Sequence, residues 1–548
     1  MRNAVINDMK DYGKKHGRLM LLSFILVVLC FGFLAFSSNI RIDTEELMNE
    51  PGSSLGWLTI GRYSLVLFKR LLGLGTHSAF KSGLLFLLFF WMGANLLTFA
   101  FYSFSGKDER YPYWVFVLLY CTSNIWCYQI YFSLQQAEIA LAMLLVIVAA
   151  CLSVTACLGR RGWHGVMCLF AATGLLVLGL GAYQALATFY IAVCISLFLV
   201  QMEYARRRIY TGDKGCVDGT DQKAERGQAT GFLVGAVELA LQFGMSYLIY
   251  SWIADTWFMA TEGYMQNQKG WGRMSVADCI HSVLLTGKNV LLGYGPRNFS
   301  FYTAGVLLML IVVIYQWKKR RFPSKGWFFF YLLALAGLLF SPFMMTLYMG
   351  EMLVTRSQFA LPVTAAFLGM FGLKNLPRKN GKGWRIGYAI AVACVAVTVV
   401  IQAGYDLRLA HTDDVRQEQD EALTQEVLKA IKETNNGEMP EVPVVFVGYV
   451  VPEYDDWCVR TEMYGWSFYE WDYSVTNPTG ATHRIDGFLQ AYTGERLKED
   501  VSEKMQREAV ALAEDMPDFP AEGSVRMTEN FMVVRLSEIR ERTDLTWR

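Results

Sequence analysis

The chain has 548 residues, of which 53% are hydrophobic, 14% aromatic and only 18% charged. Soluble domains are about a quarter charged, so this deficit favours a membrane protein. The formal net charge of +1 gives no reason to expect a nucleic-acid partner. Charge is unevenly distributed, because long uncharged runs separated by basic clusters fill the first 400 residues and the remainder has ordinary soluble composition.

Eleven apolar runs are long enough to cross a bilayer, which takes about 20 residues of helix. The apolar block 165–202 is too long for one helix, and Tyr183 and Gln184 mark the predicted turn between two. The predicted spans are 18–38, 82–104, 113–133, 136–157, 165–182, 185–202, 230–252, 300–317, 327–347, 358–373 and 386–404.

The distribution of Lys and Arg predicts the orientation. With the amino terminus inside, every strongly basic loop falls on the inner side of the membrane. The odd number of spans then places the loops 39–80 and 253–299 outside, together with the carboxy-terminal segment. We therefore predict a multi-pass protein with a membrane region over 1–404 and an extracytoplasmic domain over 405–548.

The carboxy-terminal segment alternates helix and strand signals. Residues 412–433 and 498–516 are predicted helices, 442–448 is a predicted strand, and 524–537 has the pattern of a hairpin. This order predicts a small α/β domain attached to an all-α polytopic membrane protein. The aromatic run WSFYEWDY (466–473) is typical either of a carbohydrate-facing surface or of a domain core.

Three acids follow the first span, in the sequence NIRIDTEEL. Asp43, Glu45 and Glu46 fall at the predicted outer membrane surface, where a carboxylate can keep enough basicity to take a proton from a hydroxyl nucleophile. The competing interpretation is that acids only mark the outer flank of a span.

Other polar residues are predicted on the same outer side. Arg62 and Arg356 offer planar charged groups suited to phosphate oxygens, although arginines also snorkel at membrane interfaces. Glu138 lies just inside a span, where an ionisable residue usually faces a cavity or a partner. Tyr183 and Gln184 can stack on and hydrogen-bond a sugar, or can belong to the interfacial aromatic belt.

A family likeness rests on several motifs in order. NIRIDTEEL after the first span, GR at 61–62, AYQ at 182–184 and TRSQFALP beginning at residue 355 resemble the bacterial O-antigen-modifying glucosyltransferases of Gtr type II. WSFYEWDY, RIDGFLQAYTG (484–494) and MPDFPAEGSV (516–525) are similar to late segments of those proteins. The resemblance implies a polytopic glycosyltransferase of the GT-C type.

The resemblance also implies a reaction. A hexose, commonly glucose, is transferred from a polyprenyl-phosphate donor to a surface glycan outside the bacterial cytoplasmic membrane. The expected catalytic acid is Asp43 with Glu45 beside it, and Arg62 and Arg356 are expected to bind the donor phosphate. Glu46, Glu138, Tyr183 and Gln184 are the expected substrate-binding residues. The resemblance implies no required cofactor and leaves open whether Asp43 and Glu45 hold a divalent metal ion, as some polytopic transferases do.

Three other classes of protein compete with this interpretation. A surface-polysaccharide polymerase or ligase is also polytopic, but usually concentrates its outer mass in one late loop. A lipid-linked glycan transporter predicts paired broken helices or inverted repeats, and the sequence shows neither. A sensor predicts an inner signalling module, for which the inner loops are too short.

Overall fold

The structure is a computed structural model that describes residues 2–159, 162–211, 221–258, 269–293, 299–377, 382–498 and 500–542. Parts of the predicted outer loop 253–299 and of the basic inner loops lie outside these ranges. The described chain is mostly helical with one small sheet. Its helices are α1 (Arg2–Phe36), α2 (Thr44–Asn49), α3 (Tyr63–Leu71), α4 (Ala79–Phe104), α5 (Tyr113–Cys121), α6 (Ile125–Ile130), α7 (Gln136–Gly159), α8 (Trp163–Ala182), α9 (Leu186–Thr211), α10 (Asp221–Trp257), α11 (Val276–Leu292), α12 (Tyr302–Lys318), α13 (Lys325–Phe340), α14 (Met344–Met349), α15 (Ala360–Asn375), α16 (Lys382–Thr434), α17 (Thr482–Thr493) and α18 (Glu503–Ala513). Short 3-10 helices cover Pro51–Ile60, Ser341–Phe343 and Thr355–Ser357.

Eight helices of the described chain are long and apolar enough to cross a membrane, compared with eleven predicted spans. The predicted span 113–133 is interrupted after Cys121, where the polar residues Thr122 to Asn124 separate α5 from α6. Helices α12 and α15 have only 17 and 16 residues. Helices α5, α6 and α15 are almost entirely buried, so their apolar sequence is explained by packing against other helices.

Contacts between loops fall into two groups at opposite ends of the long helices. At one end Arg207 pairs with Asp108 at 2.7 Å, and Lys374 pairs with Glu203 at 2.6 Å. All four residues belong to loops or helix ends that the sequence predicts to be inside. The segments predicted to be outside contact one another at the other end, where the candidate site lies.

The carboxy-terminal part contains a three-stranded sheet in the order β1 (Val444–Val447), β3 (Met532–Arg535), β2 (Val525–Met527). Strand β1 pairs in parallel with β3, and β2 pairs antiparallel with β3. Side chains alternate between the two faces of the sheet. One face packs on α16 and α17, and the other packs on α18. Most of the aromatic segment 466–473 is buried, so it contributes to a core and does not form an exposed carbohydrate-facing surface.

The carboxy-terminal part is attached firmly to the membrane region. Helix α16 has 53 residues and continues through the boundary predicted at residue 405. A buried ion pair joins Arg41 to Asp413 at 2.8 Å, and Asp413 also pairs with Arg416 at 2.9 Å. Tyr464 donates to the Cys127 carbonyl at 2.8 Å. These contacts fix the small sheet domain over the segment that follows α1.

Candidate active site

Three carboxylates lie together where the chain leaves α1 and turns into α2. Asp43 immediately precedes α2 and has a φ of 67°, in the left-handed backbone region. That conformation is costly for a residue with a Cβ and persists where the surrounding structure imposes it. Thr44 Oγ1 lies 3.3 Å from Ser133 Oγ, which ties the start of α2 to the segment after α6. Carboxylate oxygens of Asp43, Glu45 and Glu46 lie within 4.8 Å of one another.

Arg484, in the first turn of α17, binds all three acids. Its Nη1 lies 2.9 Å from Glu45, 3.2 Å from Asp43 and 3.4 Å from Glu46. Its Nε donates to Asp472 at 2.9 Å. A guanidinium that is 441 positions away from Asp43 in the chain therefore holds the acid cluster in place.

The surroundings make the three carboxylates chemically different. Burial raises the pKa of Glu45 to about 8, in spite of the opposing charge of Arg484. Burial also raises the pKa of Asp43, against the charges of Arg484 and Arg356. The neighbouring His483, whose Nε2 lies 3.9 Å from Glu46, lowers the pKa of Glu46. The Glu45 side chain is 1% exposed, whereas those of Asp43 and Glu46 are 43% and 48% exposed. Of these two accessible acids, Asp43 has the raised pKa and is therefore the more basic.

The predicted metal site does not fit the donor set. Arg484 Nη1 lies within 3.4 Å of an oxygen from each of Asp43, Glu45 and Glu46. A divalent ion shared by these oxygens would lie against the guanidinium and be repelled by its charge. We therefore assign no step of the chemistry to a metal at Asp43 and Glu45.

Two arginines converge on Tyr183, in the turn between α8 and α9. The Arg62 guanidinium lies 4.9 Å from the centre of the Tyr183 ring, and the Tyr183 hydroxyl lies 3.1 Å from Ser357 Oγ. Arg356 lies 3.7 Å from the centre of the Phe132 ring. Burial would raise the pKa of Tyr183, but the charges of Arg356 and Arg62 outweigh that effect and lower the pKa. The charge of Arg356 also lowers the pKa of Asp43, so the arginine pair and the acid cluster are electrostatically coupled.

A mainly apolar groove of about 510 Å³ begins at Gly61, the chain neighbour of Arg62. Gln184 lies at its wall, and its amide donates to the Ile60 carbonyl at 3.0 Å and to the Tyr250 hydroxyl at 2.8 Å. Gly61 has a φ of 75°, and a Cβ there would lie 2.8 Å from the Tyr250 hydroxyl, so the position favours glycine. Helices α9, α10 and α14 supply the other walls, which include Ile191, Phe243, Tyr247, Met344, Met345 and Tyr348.

Glu138 lies apart from the cluster. It is fully buried at the start of α7, and its carboxylate lies 2.7 Å from Lys69 Nζ. Lys69 also donates to the Leu134 carbonyl. Glu138 lines neither the groove nor the polar cleft described below. Its carboxylate pairs with the buried Lys69. A substrate-binding role for Glu138 stays a prediction.

The sequence prediction missed Arg484 and its neighbour His483. The segment RIDGFLQAYTG, which contributed to the family likeness, begins at Arg484. No local pattern connected that segment to the acids after α1. The signal available in the sequence was an arginine 12 positions after Asp472, in a domain predicted to be outside.

Comparison with known proteins decides the family. A family model described as glucosyl transferase GtrII matches residues 32–373, well over half of the chain. The chain belongs to this GtrII glucosyltransferase family. No curated protein and no solved structure matches the chain.

Membership of the GtrII family confirms the predicted family and the predicted glycosyltransferase activity. This GtrII protein is a glucosyltransferase with a sugar donor and a glycan acceptor, and its apolar helices fit a multi-pass membrane protein. The matched range contains the acid cluster, Arg62, Arg356, Tyr183 and Gln184. It ends before Arg484, which belongs to the carboxy-terminal part.

Proposed function

We propose that this GtrII protein transfers glucose from a polyprenyl-phosphate donor to a cell-surface glycan at the outer face of the bacterial cytoplasmic membrane. The observation that carries the proposal is a series of neighbouring groups that links the acid cluster to the groove. The charge of Arg356 acts on Asp43, Arg356 and Arg62 both interact with Tyr183, and the chain neighbours Gly61 and Gln184 line the groove. Each part of such a donor has a matching chemical environment along this series.

The groove suits the isoprenoid chain. Aromatic, thioether and aliphatic side chains of α9, α10 and α14 form most of its walls, and Asp255 and Lys269 add a charged region to the lining. A prenyl chain that enters from the bilayer exchanges one apolar environment for another, so its entry costs little in desolvation. The phosphate then lies at the end of the groove beside Arg62 and Arg356, whose forked guanidinium groups match its oxygens.

The transfer step follows from the positions of the acids. Asp43 takes the proton of the acceptor hydroxyl while that oxygen attacks the anomeric carbon from the face opposite the phosphate. The bond between the anomeric carbon and the phosphate oxygen breaks, and its electron pair leaves with the polyprenyl phosphate. Arg356 and Arg62 stabilise the negative charge that develops on this leaving group. The configuration at the anomeric carbon is inverted.

Arg484 serves as a positioning residue for the base. Its charge keeps three neighbouring carboxylates together, and it opposes the rise in the pKa of Asp43 that burial causes. A more ionised Asp43 is the competent base at neutral pH. The carboxy-terminal part is therefore required for transfer, although the family match ends before it.

The proposed orientation keeps the prediction from the basic loops. The amino terminus lies inside, and the acid cluster, the arginine pair and residues 405–548 lie outside. The mutual contacts of the segments predicted to be outside support this arrangement. The site then lies at the level where a lipid-phosphate donor presents its sugar.

The direct test uses the full chain in proteoliposomes with synthetic polyprenyl-phosphate [¹⁴C]glucose and surface glycan from producing cells that lack the gene. We expect wild-type protein to move label into the glycan. Asp43→Asn is expected to lower turnover by about 10²–10⁴-fold, because the base is lost while the donor still binds. Asp456→Asn, at an exposed position of the carboxy-terminal part, is the matched control.

Turnover of Asp43→Asn close to that of wild type would overturn the assignment of the base. Failure of the wild type to use this donor, with label transferred instead from a lipid-diphosphate oligosaccharide, would favour a polymerase. Glycan chain length in cells without the gene separates the two activities. Loss of a side-branch hexose supports transfer, and collapse of chain length supports polymerisation.

A further inference from the structure

A second cavity, the polar cleft, lies between the first outer loop and the carboxy-terminal part. Its volume is about 670 Å³. One wall is α2 with the start of the 3-10 helix Pro51–Ile60, and the other is α17 with neighbouring segments of the sheet domain. Glu45 and Glu46 belong to its lining, so the cleft reaches the acid cluster, and it shares no lining residue with the groove.

The lining of the polar cleft matches the hydrogen-bonding needs of sugar hydroxyl groups. Amides both donate and accept hydrogen bonds, as sugar hydroxyls do. Four amide side chains line the cleft, and those of Gln490 and Gln506 make no hydrogen bond to any residue that the structure describes. These two groups are available to a ligand. The four amides are Asn49, Asn477, Gln490 and Gln506.

Glu45 provides an independent sign of a ligand. Its side chain is 1% exposed and lines the cleft, and its Oε2 has no hydrogen-bond partner among the described residues. An unpaired buried carboxylate oxygen is costly and calls for a partner. A hydroxyl group of a saccharide in the cleft would satisfy it.

The net charge of the polar cleft restricts which kinds of saccharide it can bind. Four acidic side chains line it, and because the pKa of Glu45 is raised to about 8, the charged carboxylates at neutral pH are chiefly those of Glu46, Glu50 and Asp486. The opposing cations of the lining are Lys498 and, when protonated, His483. Arg484 adds one positive charge beside Glu45, and Asp43 adds one more negative charge. The net charge is negative, and a negative cleft repels a polyanion.

We infer that the polar cleft is the acceptor site and that it takes an uncharged segment of polysaccharide, with polyanionic chains such as polyol phosphates excluded. This inference rests on the proposed function, because it assigns the second substrate of the same reaction. The acceptor hydroxyl enters along the cleft and reaches Asp43, while the donor arrives from the groove. The carboxy-terminal part thus forms one wall of the acceptor site.

The test measures transfer from polyprenyl-phosphate [¹⁴C]glucose by the full chain in proteoliposomes. The acceptor is surface glycan from producing cells that lack the gene, separated into neutral and anionic fractions by anion-exchange chromatography. We expect label in the neutral fraction. The double variant Gln490→Ala/Gln506→Ala is expected to raise the KM for this glycan about tenfold and to leave the KM for the donor unchanged, because two hydrogen bonds to the acceptor are lost. Asn530→Ala, on an exposed turn outside the cleft, is the matched control.

An unchanged acceptor KM in the double variant would overturn the inference, as would label found mainly in the anionic fraction. In either case the wild type still uses the donor, so the proposed function survives. Absence of any transfer by the wild type would overturn the proposed function and the inference together. Equal thermal unfolding of the double variant and the wild type shows that the change in KM does not come from misfolding.

Discussion

The groove and the polar cleft are cavities of similar size with opposite chemistry. The groove, of about 510 Å³, is built mainly from aromatic, thioether and aliphatic side chains of helices apolar enough to cross a membrane. The cleft, of about 670 Å³, is built from carboxylates, amides and hydroxyls of the segment after α1 and of the sheet domain. Glu45 and Glu46 of the acid cluster line the cleft, and Gly61 and Gln184, the chain neighbours of Arg62 and Tyr183, line the groove. The proposed transfer from a lipid-linked donor to a glycan assigns one substrate to each cavity.

Among changes outside the base itself, loss of Arg484 should have the largest effect, because it removes the cation that the three acids share. Arg484→Gln is expected to lower kcat by about 10² or more, since three close carboxylates lose their shared cation. Arg484 lowers the pKa of Asp43, so its removal raises that pKa. The acidic limb of the kcat–pH profile therefore moves to higher pH. If Arg484 positions the base, Arg484→Lys should recover part of kcat, and its kcat–pH profile should move back toward that of the wild type. A kcat–pH profile of Arg484→Gln that is not shifted from the wild type would contradict this role.

Substitution of Arg62 or Arg356, the proposed phosphate-binding pair, should lower kcat without weakening binding of the glycan. Arg356→Met is expected to lower kcat by about 10²–10³, because one donor to the leaving phosphate is removed. Arg62→Met should act in the same direction, and neither change should alter the KM for the glycan. A rise in acceptor KM with normal kcat would show that these arginines belong to the cleft. Initial rates over a matrix of donor and glycan concentrations separate the two outcomes.

Filling the groove should give a smaller and more selective effect. Ala187 lines the groove, and Ala187→Trp is expected to raise the KM for a long-chain polyprenyl-phosphate donor about tenfold. Leu241→Trp is the control, since Leu241 lies on α10 but is 68% exposed and outside the groove lining. Equal effects of the two variants would mean that the groove does not hold the lipid.

Chelation of metals should have the smallest effect. Because Arg484 already supplies the cation between the acids, transfer is expected to change less than about twofold in EDTA. Activity that is lost in EDTA and restored by Mg²⁺ or Mn²⁺ would contradict this. That result would mean that Arg484 moves away from the acids in the working enzyme.

Much of the membrane region follows from the sequence because its signals are local. Apolar runs locate α1, α4, α7 to α10 and the membrane part of α16, and acids or arginines at the ends of those runs mark one side of the bundle. The break between α5 and α6 was not predicted, because a buried run and a lipid-facing run have the same composition. Three polar residues at 122–124 were the only indication of it.

The other half of the site could not be predicted for a physical reason. Arg484 reaches Asp43 across 441 positions of the chain. That contact depends on α16 continuing past residue 405 and on the buried pair of Arg41 and Asp413. Neither feature leaves a periodic pattern in the sequence. Long-range ion pairs of this kind are visible only once the fold places the two segments together.

The most direct test of this account is the location of the bound donor. The Asp43→Asn variant in lipid nanodiscs with synthetic polyprenyl-phosphate glucose is suitable for structure determination by cryo-electron microscopy, since it should bind the donor without consuming it. The account predicts the prenyl chain in the groove along Ile191, Phe243 and Met345, and the phosphate within hydrogen-bonding distance of Arg62 and Arg356. The glucose should face residue 43. A prenyl chain bound elsewhere, with its phosphate away from both arginines, would contradict the account.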